Sequence, residues 1–335
     1  MDRTEEDMKF VGFFGIFKQS FKTIFSWKKI FAQITLTLIL PLTIVFLVHL
    51  EISHRVFLNI QSNSFLQLDP NDDDGRQASA TDWLYYMLFK IVYFILLTLF
   101  SLLSTAAVVF TIASIYTDRE IVFRNVMKVV PKVWKRLIVT FSFIYLSLFI
   151  YDVIAEIALA ISRSIFGNSI VGVIFLTIIV IVYILGFLYL SVVWQLASVV
   201  TVLENTQGFG AIKKGKHLAN GKKIVGMGIG FVLYGFLLGL LFMYEMFVEY
   251  SRGYFELAMV WRVLIGILCG LLLLMLFLLF FVTQTVLYLV CKSHHREVID
   301  KLSLSTFLEA YMGETVAYPT VGEDIQLGRA QPQQV

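Results

Sequence analysis

Residues 164–203 read SIFGNSIVGVIFLTIIVIVYILGFLYLSVVWQLASVVTVL, and none of these forty positions carries a charge. Most of the residues are Ile, Val, Leu, Phe or Tyr. A helix needs only about 20 such residues to cross the hydrocarbon core of a bilayer. The stretch therefore predicts a membrane-spanning helix and places the chain among the integral membrane proteins.

The composition of all 335 residues agrees with this prediction. Hydrophobic residues make up 58% of the chain and charged residues 15%, with a mean hydropathy of +0.80. A soluble domain carries about 25% charged residues. Because the apolar residues fall into several blocks, we predict several crossings of the membrane. The two cysteines, Cys269 and Cys291, both lie in the last block, which argues against a disulfide framework.

We predict an all-α polytopic membrane protein with six transmembrane helices. An amphipathic lead (1–29) precedes the membrane domain (30–291), and a polar tail (292–335) follows it. Phenylalanines recur in the lead at helical spacing between lysines, which is typical of a helix lying in the membrane interface. Segment 51–83 is polar and acidic and reads as a loop. The predicted spans cover about residues 30–50, 84–116, 137–161, 169–203, 224–248 and 258–291.

The numbers of lysines and arginines alternate along the chain. The lead, connection 117–136, connection 204–223 and the tail carry six, six, five and four of them. The three intervening segments carry two, one and one. Since cytoplasmic segments are enriched in these residues, we predict that both termini and both basic connections are cytosolic. The acidic segment 51–83 then faces the lumen or the exterior.

A short basic pattern recurs at the start of each odd-numbered span. It reads WKK at 27–29, WKR at 134–136 and GKK at 221–223. An amphipathic, basic stretch of about a dozen residues precedes each copy. We predict a threefold internal repeat, in which each unit is an interfacial helix, a span outward, a loop and a span inward. The alternative is that positive flanks and interfacial tryptophans recur in any polytopic protein.

Several strings resemble a family of uncharacterised plant multi-pass membrane proteins. They are FFGIF (13–17) through FSWKK (25–29), VVWQ (192–195) running on to VLE (202–204), and the block 213–222. The arrangement also resembles the membrane domain of some bacterial glycerophosphodiester phosphodiesterases. These are packing and flanking residues, so the resemblance implies a fold and a membrane location. It implies no active site, because nothing in the chain matches a phosphodiesterase catalytic domain.

Charged residues inside the predicted spans form the first candidate site, since such residues are costly in a membrane and are often functional. With the predicted orientation, all of them fall in the outer leaflet. One interpretation is a polar vestibule that binds a cation or a lipid headgroup. The other, which we prefer, is structural pairing of Lys90 with Asp152 or Glu156, and of Arg262 with Glu245. The residues are Lys90, Asp152, Glu156, Glu245 and Arg262.

Glycines spaced four apart form a second pattern in the last two spans. Small residues at this spacing let helix backbones approach closely. We therefore predict tight packing of spans five and six. The residues are Gly226, Gly230, Gly235 and Gly239 in span five, and Gly266 and Gly270 in span six.

No catalytic, nucleotide-binding or metal-binding motif is recognisable in the sequence. We predict no cofactor, no metal site and no nucleic-acid partner. The predicted function is a non-enzymatic membrane organiser that interacts with membrane lipids, or with protein partners through its cytosolic tail. The alternative is a transporter or lipid-handling protein that uses the outer-leaflet polar cluster. We expect the endoplasmic reticulum or another endomembrane, with the plasma membrane as an alternative.

Overall fold

A computed structural model describes residues 12–66, 73–117, 122–167, 169–204, 206–249 and 259–295, and its regular elements are all helical. Two short π-helical turns interrupt the α-helices. The polar tail from residue 296 onward lies outside the described residues. The elements are α1 Phe13–Ser26, α2 Lys28–Ile34, π1 Thr35–Ile39, α3 Leu40–Leu66, α4 Asp73–Tyr116, α5 Phe123–Phe166, α6 Ile170–Leu203, α7 Phe209–Tyr244, π2 Glu245–Glu249 and α8 Met259–His294.

The predicted fold class is confirmed, since six helical stretches are long and apolar enough to cross a membrane. The second interfacial stretch is continuous with its span. The third is separated from its span by a break at Lys222, and the first forms the separate helix α1. The spans run Lys28–Ser53, Trp83–Tyr116, Phe123–Phe166, Ile170–Leu203, Phe209–Val248 and Met259–His294.

The segment 51–83, which reads as a loop in the sequence, is mostly helical. Helix α3 continues to Leu66, and α4 begins at Asp73. No glycine or proline follows Pro41 until Pro70, so nothing in the sequence breaks α3 where its apolar pattern ends. The helices therefore extend past the predicted spans on this side.

The packed core is formed by one half of each even-numbered span. Helices α4, α6 and α8 contact one another. Their buried segments are 104–116, 191–203 and 281–291, each at the C-terminal end of its helix. We call this the basic end of the bundle, because the basic lead and both basic connections adjoin it. The three even-numbered spans thus occupy equivalent places, as the predicted repeat requires.

The opposite end of the bundle is open and apolar. Ile170 is 82% exposed and Met259 78% exposed, and many large apolar side chains near them are also exposed. Apolar side chains at this depth face hydrocarbon instead of water, so their exposure carries no hydrophobic cost. The helices are less tightly covered by one another here, and crevices open between them.

The helix α1 packs on the protein through a narrow stripe of its surface. Ile16, Ser20 and Thr23 are buried, and α1 contacts α8. The Thr283 hydroxyl of α8 donates a hydrogen bond to Ser20 Oγ at 3.4 Å. Phe14 and Phe25 are exposed instead. The lead helix therefore exposes Phe14 and Phe25 beside the membrane domain and buries a narrow stripe that includes Ile16.

Two copies of the basic repeat contain a break in the helix, and one does not. The backbone leaves helical geometry at Trp27 (φ −115°, ψ 35°) and at Lys222 (φ −137°, ψ 30°). In the second copy, α5 runs unbroken through 134–136. The copies are therefore alike in position but differ in local geometry.

Candidate functional site

A crevice of about 720 Å³ opens between α3, π2 and α8 at the open end of the bundle. We call it the Arg262 crevice, after its single charged lining residue. The volume lies within the range of small-molecule pockets, about 300–1,000 Å³. Its walls are mainly aliphatic. They include Leu40, Ile44 and Leu47 on one side and Val263, Ile267 and Leu271 on the other, with Tyr244 and Val248 at one edge.

The Arg262 guanidinium is only partly satisfied by the protein. Its Nη2 donates a hydrogen bond to the Val248 carbonyl oxygen at 2.9 Å. Its Nε is buried and has no hydrogen-bond partner within the described part of the chain. Val248 belongs to π2, and π-helical turns of this kind often occur at functional sites. A guanidinium has five N–H donors, so this one retains unused capacity for an acceptor.

Two of the predicted glycines line this crevice. A methyl group added to Gly270 would lie 3.3 Å from Leu47 Cδ1, and one added to Gly266 would lie 3.9 Å from Val248 Cγ2. Both residues belong to the crevice wall. The glycines therefore keep space open between α8 and its neighbours.

The four glycines of α7 do not form one interface. Gly226 packs against Val192 of α6, where an added methyl group would lie 2.8 Å from Val192 Cγ1. Gly230 faces Leu188 and Ser191 of the same helix at 3.6 Å. Gly235 and Gly239 would meet nothing within 4 Å. The first pair thus serves contact with α6, and the second pair faces open space.

Lys90 lies between α3 and α4, away from the acidic residues with which the sequence suggests pairing. Its Nζ is 3.2 Å from His49 Nε2 and 5.2 Å from the centre of the Tyr86 ring. An ammonium group can only donate, so His49 accepts through Nε2 and is neutral, with its proton on Nδ1. The His49 ring stacks on Tyr93, with 3.5 Å between ring centres.

Asp152 and Glu156 lie at the contact of α5 with α6. The Tyr183 hydroxyl donates to Asp152 Oδ1 at 3.0 Å, and Glu156 is exposed. Tyr151 donates to the Tyr183 carbonyl oxygen at 2.7 Å and stacks on its ring. No ion pair within 4 Å joins these carboxylates to Lys90 in the described structure.

Glu245 is exposed and does not approach Arg262 as an ion pair among the described residues. The five predicted charged residues therefore fall at three different helix contacts and do not share one vestibule. Of these contacts, the one at Arg262 has a sizeable crevice beside it.

The sequence analysis missed an ionic cluster at the basic end. Glu204 follows the last residue of α6 and is 13% exposed. Its carboxylate accepts hydrogen bonds from Tyr288 (2.7 Å) and Lys292 (2.9 Å), both on α8. Lys214 of α7 pairs with it at 2.6 Å. A signal was available, since Glu204 is the only acidic residue of the basic connection 204–223.

The surroundings of Glu204 favour its charged form. Burial alone would raise the pKa of this carboxyl, but hydrogen bonds from Lys214, Tyr288 and Lys292 outweigh burial and hold its pKa below its usual value. Arg136 of α5 donates to the Glu204 carbonyl oxygen. Glu204 thereby joins four helices at the basic end.

One protein-family model matches residues 1–330, nearly the whole chain, and is described as a domain of unknown function, DUF8558. No curated protein and no solved structure matches the chain.

Proposed function

We propose that this chain, which belongs to the DUF8558 family, is a non-enzymatic membrane protein that holds an anionic phospholipid in the Arg262 crevice. The headgroup phosphate contacts the guanidinium, and an acyl chain lies along the aliphatic walls. The observation that carries the proposal is the buried Nε of Arg262, which has no hydrogen-bond partner among the described residues and lies in a mainly apolar crevice.

The depth of Arg262 suits a headgroup. The residue lies three positions after the start of its span at Met259, which is about 5 Å along a helix. A charged side chain inside a membrane is costly, and a nearby anion reduces that cost. A phospholipid supplies the anion together with an apolar acyl chain that matches the aliphatic walls of the crevice.

Two acidic residues at this end of the described structure are engaged or exposed. Glu51 forms an ion pair with Arg55 and accepts a hydrogen bond from Tyr244 at 3.2 Å. Glu245 is exposed. Among the described residues, no ion pair accounts for Arg262, which supports a lipid phosphate as its partner.

We place both termini and the basic end in the cytosol on the charge alternation. The Arg262 crevice then opens to the outer or lumenal leaflet. The resemblance to plant multi-pass proteins supports a location in the endoplasmic reticulum or another endomembrane, with the plasma membrane as the alternative. We also propose that the polar tail binds protein partners in the cytosol.

The test is native mass spectrometry of the purified protein with added palmitoyl-oleoyl phosphatidylserine. Arg262→Gln removes the charge but keeps hydrogen-bonding ability, and we expect about tenfold weaker binding of one lipid, as for loss of a charged hydrogen bond. Gly266→Leu fills the crevice and is expected to remove that lipid from the spectrum.

Matched controls separate the crevice from general damage to the fold. Lys90→Gln removes another cation from the open half, and Gly239→Leu adds the same side chain where nothing lies within 4 Å. Neither control should alter binding. Equal lipid retention by Arg262→Gln and the wild type would contradict the proposal.

A further inference from the structure

A second, larger groove lies between α1, the start of the first span, α7 and α8. Its volume is about 1000 Å³. Its lining is almost entirely apolar and includes five phenylalanines of α1, of which Phe14, Phe21 and Phe25 are exposed. The exceptions are Lys28 and Thr35. The phenylalanines are Phe13, Phe14, Phe17, Phe21 and Phe25. We call this the aromatic groove.

The charge at the aromatic groove identifies its occupant. Lys28 is exposed at the first turn of the span, where a headgroup lies. Thr35 is seven residues further along, and its buried hydroxyl has no partner among the described residues. Cationic at the membrane surface and apolar below it, the groove matches an anionic phospholipid. A second protein would need no such cation at the rim.

The linings of the aromatic groove and of the Arg262 crevice follow one another along α8. On α8, Met275 and Leu279 line the groove, while Val263, Ile267 and Leu271 line the crevice. These five residues are four apart, so they form one continuous ridge that winds part of the way around the helix.

The first span contributes a matching row. Ala32 and Leu36 line the aromatic groove, and Leu40 and Ile44 line the Arg262 crevice, again four apart. From Lys28 to Leu47 the lining of the first span covers 19 steps, about 28 Å at the rise of an α-helix. This is close to the hydrocarbon thickness of about 30 Å. The two cavities thus form one seam between the first and last spans, from leaflet to leaflet.

We infer that this seam holds two anionic phospholipids, one in each leaflet, with their acyl chains meeting end to end between Lys28 and Arg262. The second site stands on its own groove and does not require the Arg262 site to be occupied.

The middle of the seam excludes passage of a headgroup. Between Lys28 and Arg262 the lining residues carry no charge, and their polar groups are those of Thr35, Thr43 and Tyr244. A phosphate crossing there would lose its hydration without ionic partners. The seam therefore retains lipids and does not transfer them between leaflets.

The test counts bound phosphatidylserine by native mass spectrometry of the full chain. We expect two lipids on the wild type, one on Ala32→Phe, one on Gly266→Leu and none on the double variant. Gln33→Phe is the matched control, because Gln33 is an exposed neighbour of Ala32 that does not line the groove. Lys28→Gln should weaken the binding of one lipid several-fold, and Lys29→Gln should leave the binding of both lipids unchanged.

The outcomes distinguish the two sites. If Ala32→Phe keeps both lipids, or a copurified protein occupies the groove, the second site is wrong. If Gly266→Leu keeps both while Ala32→Phe loses one, the proposed function fails and the second site stands. Reconstituted vesicles with a fluorescent phospholipid and an impermeant quencher test retention. If lipid exchanges between leaflets faster than in protein-free vesicles, and Ala32→Phe or Gly266→Leu abolishes that exchange, the seam transfers lipid and the inference is wrong.

Discussion

At the scale of single residues, the cations at the two ends of the bundle have opposite surroundings. Arg262 has few partners and lies beside a cavity. Lys292 and Lys214 share the carboxylate of Glu204 and are largely covered. An ionic cluster whose hydrogen bonds are all made stabilises a fold. A buried donor without an acceptor is costly, and a bound ligand that supplies the acceptor removes that cost. This contrast separates the stabilising cluster from the binding site.

We predict that Glu204→Gln lowers the stability of the purified protein by about 2–3 kcal/mol, because it leaves two lysines near one another without their anion. The melting temperature in detergent should fall accordingly. Glu156→Gln is the control, since Glu156 is exposed and its replacement should change stability by less than about 0.5 kcal/mol.

The stability difference between the wild type and Glu204→Gln should depend on pH. The pKa of Glu204 is lowered by folding, so its stabilising contribution is complete above the ordinary value of 4.5 and is lost as pH falls through the lowered pKa. The difference in melting temperature between wild type and Glu204→Gln should therefore be constant near neutral pH and shrink below pH 4.5. A difference that grows on acidification would show that this sign is wrong.

At the scale of helices, the closest backbone approach among the described glycines lies between α6 and α7 at the basic end. A methyl group on Gly215 would lie 2.7 Å from the Val193 carbonyl oxygen and 2.9 Å from Ala197 N. Ala211 and Ala219, four residues to either side, are fully buried. Small residues at this spacing bring the two helices together.

Gly215→Ala should therefore destabilise the protein by about 1–3 kcal/mol, because backbone atoms must move to admit the methyl group. Gly210→Ala is the matched control in the same helix, where nothing lies within 4 Å of the added atom. It should not lower the melting temperature, since alanine favours a helix over glycine. Equal melting temperatures for the two variants would contradict this account of the contact.

This helix contact shows where sequence reasoning succeeds and where it stops. Close helix packing through small residues was predicted only at glycines spaced four apart, so Gly215 and its neighbours Ala211 and Ala219 were missed. Glycine spacing alone also could not distinguish Gly226, which packs on α6, from Gly239, which faces open space. Which face of a span meets protein depends on the tertiary arrangement, because lipid is as apolar as a neighbouring helix.

At the scale of the whole molecule, the ends of the helices were not predictable, since α5 begins at Phe123 and α7 at Phe209, well before the predicted starts at 137 and 224. The number of spans was predictable, because hydrocarbon thickness sets the length of apolar sequence that each span needs. The grouping of the intramembrane charges was not. Lys90, Asp152 and Arg262 have similar predicted depth, but depth does not specify which helices are neighbours. The seam likewise depends on contact between the first and last spans. No local sequence pattern predicts that contact.

The orientation of the bundle is the remaining prediction at this scale, and it decides which leaflet supplies each lipid. Six spans place both ends of the membrane domain on one side, and the charge alternation makes that side cytosolic. Lys18 and Lys216 are exposed near the basic end, and Ser164 is exposed at the opposite end. Cysteine at each position reports its side, because Cys269 and Cys291 are buried.

In sealed vesicles with the cytosolic face outward, an impermeant maleimide should label Lys18→Cys and Lys216→Cys directly. Ser164→Cys should react only after the membrane is opened with detergent. The reverse pattern would invert the orientation and place the Arg262 crevice in the cytosolic leaflet, leaving the six-helix fold unchanged. Labelling of all three on one side would contradict the span count itself, because α5 separates Ser164 from the basic end.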